Sequence, residues 1–301
     1  MTAPRLFCFG LGFSAQVFAR DRQAAGWTVA GTCQSDARRA ALAAQGIDAF
    51  LFDGNLSDGG RPLPPGALDG ATHVLVSVPP GADGDPVLAA HGADLAALPG
   101  LAWVGYLSTT GVYGDTGGAR VDETAPVNPS QRRSKWRAEA ERAWMAWAEG
   151  AGRPLHIFRL AGIYGPGRSL LDTVRAGKAK RIDRPGHLFS RIHVDDIARV
   201  LAASAARPRP GAVYNLCDDE PAPPAEVTAF ACSLLGVDPP PLVPFDVAAG
   251  EMSPMALSFW HDNRRVDNGR IKRELGVTLA HPDYRSGLRA VLAAEAEATR
   301  P

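Results

Sequence analysis

The chain has 301 residues, 46% of them hydrophobic, and its 32 Lys plus Arg are balanced by 32 Asp plus Glu. That length supports one large domain or two of modest size, and the zero net charge excludes a global basic field for nucleic acid or an anionic membrane. Cysteines 8, 33, 217 and 232 form no C-x-x-C pair, and there is no apolar leader and no run of about eighteen apolar residues, so a reduced cytoplasmic protein with small-molecule partners is expected.

A short strand over residues 6–9 runs into Gly10-Leu11-Gly12-Phe13-Ser14-Ala15 and then an alanine-rich amphipathic helix. In such a turn the first glycine takes the tight bend and the second lets the main chain approach a pyrophosphate, whose charge rests on amides at the helix N-terminus. Gly10, Gly12, Phe13, Ser14 and Ala15 are therefore expected to bind a dinucleotide. With 32 glycines in the chain, the string by itself reads equally as an ordinary strand-to-helix turn. Residues 27–32 give a second strand, 37–44 a helix and 47–52 a third strand, and the Gly- and Pro-rich stretch 55–70 is a loop. A fourth strand over 73–77 stops at Pro79-Pro80-Gly81. A helix near 86–98, a fifth strand over 102–107, a long helix over 130–149 and strands over 155–160 and 213–216 complete the series. This alternation predicts an α/β fold, a doubly wound parallel sheet covered on both faces. Beyond Gly165 the pattern loosens, with helical stretches near 225–235, 268–275 and 284–298, as in a small C-terminal substrate domain. The expected division is 1–164 plus about 191–216 for the large domain, and about 165–190 plus 217–301 for the small one.

Four more strings follow in order: Leu107-Ser108-Thr109-Thr110-Gly111-Val112-Tyr113-Gly114, Arg159-Leu160-Ala161-Gly162-Ile163-Tyr164-Gly165-Pro166-Gly167-Arg168, Arg191-Ile192-His193-Val194-Asp195-Asp196-Ile197-Ala198, and Tyr214-Asn215-Leu216. With the glycine turn they resemble the extended short-chain dehydrogenase/reductases, the superfamily of NAD-dependent epimerases and dehydratases, over nearly the whole chain. The glycine turn, Val78-Pro79-Pro80 and the run from Leu160 to Arg168 are most similar to the atypical YeeZ-like branch. The resemblance implies a Rossmann domain, bound NAD(P), and Ser77, Val78 and Pro79 beside the cofactor. In typical members a Ser or Thr after the fifth strand acts with a Tyr and with a Lys four residues beyond that Tyr. Thr109 matches the first position and Lys135 the last, the residue that bonds the nicotinamide ribose. The tyrosine position is 131, where this chain has Gln131. A phenol can accept a proton when nearby positive charge lowers its pKa, whereas an amide cannot titrate. Tyr164 and His193 are the candidates for the missing role, since both motifs lie near the cofactor cleft in related proteins. Thr109 and Lys135 read equally as cofactor ligands that do no chemistry.

The end of the second strand, where an acid would hold the ribose hydroxyls of NAD, falls on Cys33. Ser35 and Arg38, with Arg39, suit a 2′-phosphate, so NADP is favoured over NAD, while Asp36 keeps NAD open. Asp53 matches a position that contacts adenine in the family, or is a turn residue. Lys178, Lys180, Arg181 and Arg184 lie in a loop that the family places over the substrate. Arg168 and Arg191 are expected to join them in binding a phosphate-bearing substrate. Trp136, Trp144 and Trp147 suit either a core or the helix surface through which related proteins form homodimers. His193 has no companions at zinc spacing, so no metal is assigned. The chain has no G-x-S-x-G elbow and no G-K-[ST] loop, which disfavours hydrolases and nucleotidases. Two readings remain: an oxidoreductase, epimerase or dehydratase of a sugar nucleotide or similar polar carbonyl compound, and a non-catalytic NAD(P)-binding sensor or regulator.

Overall fold

The computed structural model describes residues 3–52, 54 and 62–298, so Asp53 and much of the expected 55–70 loop lie outside the described residues. Strand β1 (Arg5–Phe9) sends Leu6 and Cys8 into one core and Phe7 and Phe9 into another, as the period of two in a strand requires. It is therefore a central strand with both faces covered. After it come α1 (Phe13–Ala24), β2 (Thr28–Cys33), α2 (Asp36–Ala43), β3 (Asp48–Leu51), β4 (His73–Val76), α3 (Pro86–Ala97), β5 (Trp103–Thr109), β6 (Arg120–Val121), α4 (Arg132–Ala151) and β7 (Leu155–Leu160). The remainder holds β8 (Gly162–Tyr164), α5 (Leu170–Arg175), β9 (Arg181–Asp183), β10 (Arg191–His193), α6 (Val194–Ala206), β11 (Ala212–Leu216), α7 (Pro224–Leu234), β12 (Leu242–Pro244), α8 (Phe245–Ala249), α9 (Pro254–Ser258), β13 (Arg265–Val266), α10 (Gly269–Leu275) and α11 (Tyr284–Ala298).

Seven strands form one parallel sheet in the order β3-β2-β1-β4-β5-β7-β11. Helices α1 and α6 cover the face that buries Phe18, Trp103, Phe158 and Tyr214, while α3 and α4 cover the face that buries Phe9, Tyr106 and Trp144. The strand order reverses between β1 and β4, and in such sheets the loops leaving the two carboxyl ends diverge to open a crevice. A second, smaller core gathers Tyr164, Leu171, Val227, Tyr284 and Leu288 from α5, α7, α11 and their neighbours. Three two-stranded parallel pairs, β8–β10, β9–β12 and β6–β13, tie this lobe to itself and to the loop after β5.

One detail differs from the sequence reading, and a second decides an alternative that it left open. Ile271 and Leu275 of α10, with Val277 and Leu279, pack into the core of the large sheet, although their segment was expected in the small domain. Trp144 is fully buried with its ring 5.8 Å from Tyr106, and Trp147 lies edge-on to Trp144 at 5.2 Å while donating Nε1 to the Gly92 carbonyl at 2.8 Å. These two tryptophans seal the α3–α4 contact rather than an outer surface; Trp136 is half-buried, with the Arg132 guanidinium 5.2 Å from its ring. Among the described residues no helix is long and apolar enough to cross a membrane.

Candidate functional site

Gly10 has φ +84°, and a Cβ there would lie 2.9 Å from Ser77 Oγ, so the turn needs glycine for its backbone and for its neighbours. The turn is bolted to both flanking strands. Gly10 N donates to Thr32 Oγ1 at 2.7 Å, Leu11 N to the Thr32 carbonyl at 2.8 Å, and Ser77 Oγ to the Gly10 carbonyl at 2.5 Å. Val78 is half-buried and Pro79 exposed at the mouth of β4. Gly12 is the N-cap of α1, with ordinary φ of −81°, no side-chain cap and no acid in the first turn. A Cβ on Gly12 would meet nothing within 4 Å. The first helical bond is Gln16 N to the Gly12 carbonyl at 3.0 Å, and the amides of Phe13, Ser14 and Ala15 have no partner among the described residues. Free amides, the positive end of a helix and open space above a glycine fit a pyrophosphate.

At the end of β2, Cys33 is buried, with Sγ 3.6 Å from the Ser35 carbonyl. Ser35 Oγ caps α2 by accepting from Arg38 N at 3.3 Å. Arg39 pairs with Asp36 at 2.6 Å, whereas the half-buried Arg38 has no side-chain partner among the described residues.

Thr109 ends β5 and caps a short 3₁₀ turn, its Oγ1 accepting from Gly111 N at 3.1 Å. A Cβ on Gly111 would lie 3.3 Å from Thr109 Oγ1 and 2.6 Å from Ser134 Oγ, so two hydroxyls flank that glycine. Ser134 was missed in the sequence, although it directly precedes Lys135. Gln131 is the half-buried N-cap of α4 and makes no side-chain cap bond. Lys135 is exposed and unpaired among the described residues, and lines a groove of about 830 Å³ along α4 with Val127, Glu139, Arg142, Met145 and Val213. Arg137, also missed, donates to the Leu107 carbonyl at 2.8 Å and to Tyr106 Oη at 3.2 Å. Behind these residues lies a buried network. Arg159 pairs with Glu141 at 2.7 Å, Ser108 Oγ donates to Glu141 at 2.5 Å, and Tyr113 Oη joins Arg159 to Asn215 at 2.9 and 2.7 Å.

Neither candidate for the missing role is placed to titrate near neutrality. Burial raises all five phenols, Tyr214 to about 12 and Tyr106, Tyr113, Tyr164 and Tyr284 in the same direction. Tyr164 belongs to the small core, where its ring presses on Gly287 of α11, and its hydroxyl has no hydrogen-bond partner among the described residues. His193 caps α6 by accepting from Asp195 N at 3.2 Å, and burial lowers its pKa to about 4. Its ring lies 4.0 Å from that of His281, and Asp195 Oδ2 is 3.5 Å from His193 Nδ1 and 3.6 Å from His281 Nε2. The three donor atoms fall within 4.8 Å of one another, so His193 does have companions of metal-ligand type, Asp195 two residues along and His281 brought in by the segment that precedes α11. Its Nδ1 lone pair is nevertheless engaged by the helix cap.

Of the cations expected over the substrate, Arg191 and Lys180 line one cavity, while Arg184 and Arg168 lie elsewhere. Arg191 donates to the Phe189 and Ala222 carbonyls at 2.8 and 3.2 Å and borders a cavity of about 260 Å³ with Tyr164, Leu170 and Tyr284. Lys180 pairs with Glu251 at 3.0 Å, and Arg184 donates to the Trp260 carbonyl with its guanidinium 4.3 Å from the Phe245 ring. Arg168 instead lies beside the glycine turn, 5.6 Å from the centre of the Phe13 ring.

No protein-family model matches the chain. It is 28% identical to Protein YeeZ of Escherichia coli K12 over 284 residues, covering 91% of this chain and 95% of that protein. A solved structure of a functionally unknown conserved protein from Silicibacter pomeroyi is 50% identical, with a TM-score of 0.88 over 97% of this chain and 99% of the other. A dTDP-glucose 4,6-dehydratase from Bacillus anthracis, solved in complex with NAD, shares the fold at 16% identity, with a TM-score of 0.74 over 99% and 98% of the two chains.

Proposed function

We propose that this chain, which belongs to the extended short-chain dehydrogenase/reductase superfamily of NAD-dependent epimerases and dehydratases, is a nicotinamide-dinucleotide enzyme acting on a sugar nucleotide or similar polar carbonyl compound. The observation that carries the reading is the crevice between β1 and β4, where open space above Gly12 meets the partnerless amides of Phe13, Ser14 and Ala15. The dehydratase of the same fold solved with NAD supports that ligand. When bound, the nicotinamide supplies a hydride acceptor or donor.

Around it the chain's own residues divide the work. The free amides hold the pyrophosphate, and Ser77, Val78 and Pro79 form the opposite lip. Thr109 and Ser134 present hydroxyls on either side of Gly111 and orient a substrate oxygen by hydrogen bonds. Lys135, exposed and unpaired, is available to the nicotinamide ribose. Cys33 offers no carboxylate to a 2′-hydroxyl, Asp36 is taken by Arg39, and Arg38 is unpaired, which favours NADP.

Gln131 favours a second reading, a non-catalytic sensor of NAD(P). Loss of a positioned general base costs about 10²- to 10⁴-fold in rate, and no phenol here is poised to replace one. The two readings separate on incubation with NADPH or NAD+, and in parallel with NADP+ or NADH, and a panel of nucleotide sugars and simple carbonyls, followed by nicotinamide absorbance and product mass. Turnover of any member is the expected result. Binding without turnover across the panel favours the sensor, and failure to bind either dinucleotide at micromolar concentration sinks both readings.

A further inference from the structure

Arg168 stands in a place that its charge alone makes unfavourable. Gly165 N donates to the Arg168 carbonyl at 3.1 Å and Arg168 N to the Gly165 carbonyl at 3.0 Å, closing a four-residue turn. Pro166 at its second position and Gly167 at its third, with φ +75°, are the residues a type II turn selects. The base of the turn is pressed against the dinucleotide loop: a Cβ on Gly165 would lie 3.3 Å from Phe13 Cζ and 2.6 Å from Val194 Cγ1. The turn therefore delivers Arg168 at a fixed place, its guanidinium 5.6 Å from the Phe13 ring.

Phe13 is the first residue of α1, so the guanidinium adjoins the positive end of a twelve-residue helix. Nothing in the first turn of that helix offsets it, since no acid and no side-chain cap is present there. Arg168 is exposed, and its guanidinium makes no hydrogen bond or ion pair among the described residues. Two positive groups held near one another by a rigid turn, one of them a helix end whose first amides have no partner among the described residues, are electrostatically satisfied by an anion. A guanidinium also matches phosphate oxygens in a bidentate geometry that an ammonium cannot reproduce.

We infer that Arg168 is a ligand of the cofactor's diphosphate, supplied by the Gly165–Arg168 turn, and is not part of the substrate's phosphate site. The inference rests on the dinucleotide reading above and adds a residue to it. Because Ser169 begins α5 with a capping box directly after the turn, the same contact joins the cofactor to the start of the small lobe.

The test measures equilibrium binding of NADPH, NADH, ADP-ribose, adenosine and, as a nucleotide sugar, UDP-glucose to the full chain and to Arg168→Gln and Arg168→Lys. A charge-assisted contact of this kind corresponds to about tenfold to a hundredfold in affinity. Arg168→Gln is expected to weaken the dinucleotides and ADP-ribose by that factor while leaving adenosine unchanged, and Arg168→Lys to restore affinity only in part. Equal affinity of wild type and Arg168→Gln for ADP-ribose overturns the inference and leaves the dinucleotide reading standing. So does a loss confined to a nucleotide sugar, which returns Arg168 to the substrate. If the wild type binds neither dinucleotide nor ADP-ribose, the reading beneath it fails as well. The exposed turn position keeps folding out of the comparison, and an unchanged unfolding midpoint checks this.

Discussion

At the scale of single residues, the two glycines of the first turn do different work. Gly10 is a conformational requirement: at φ +84°, Gly10→Ala is expected to cost about 1–2 kcal/mol in backbone energy and to push Ser77 aside as well. Gly12 has a backbone any residue can adopt and empty space above it, so Gly12→Val should cost no more than about 1 kcal/mol, the disadvantage of Val against Gly at a helix N-cap. It should nevertheless abolish dinucleotide binding, because the new side chain fills the space a pyrophosphate needs. Denaturant unfolding and NADPH titration of both variants check the contrast; Gly12→Val with unaltered affinity removes the pyrophosphate site. Both glycines were legible in the sequence, since a short local string specifies the turn. Ser134, Arg137 and His281 were not, because their proximity depends on helix phase and on a chain return that no local pattern encodes.

Among the elements, α4 is held to the sheet by charge as much as by apolar packing. Glu141 is 5% exposed and accepts from Ser108 of β5 and Arg159 of β7, so three elements meet at one carboxylate. Removing one partner of a buried ion pair strands the other, and Glu141→Ala is expected to destabilise by about 3–5 kcal/mol. Urea unfolding measures it, and a loss below about 1 kcal/mol would place Arg159 in contact with water. The seven sheet strands were readable because each is a run of apolar residues bounded by Gly or Pro. The pairs β6–β13 and β9–β12 were not readable: strands of two or three residues carry no periodicity, and their partners lie far along the chain. The tryptophans of α4 illustrate the ambiguity that remains. Their spacing suited a core and a dimer surface equally, and only the position of α3 decides for the core in the cases of Trp144 and Trp147.

Across the whole molecule, four buried imidazoles, His73, His156, His187 and His193, are lowered by burial from 6.5 to about 4. His156 shows why: its Nε2 accepts from Arg209 N at 2.7 Å and its Nδ1 meets Ser204 Oγ at 2.6 Å, so an added proton on Nε2 would face a donor. Between about pH 4 and pH 6.5 the unfolded chain binds protons that the folded chain refuses, so stability rises with pH there. The contribution is complete above about 6.5 and is lost as pH falls toward 4, with a slope of up to about 1.4 kcal/mol per pH unit for each histidine. Urea unfolding at about pH 7 and about pH 5 should therefore show a marked loss on acidification; a flat profile would mean that these rings take up protons over the same range in the folded and unfolded chains.

The placement of α10 bears on how the protein can be made. Ile271, Leu275, Val277 and Leu279 seal a face of the sheet whose other strands end at Leu216. Each such side chain contributes about 1.5–3 kcal/mol by leaving water. During synthesis the large lobe must wait, its face unsealed, until the chain through Leu279 has left the ribosome. Its aggregation risk is then set by the speed of translation over that last stretch rather than by the strength of the finished sheet.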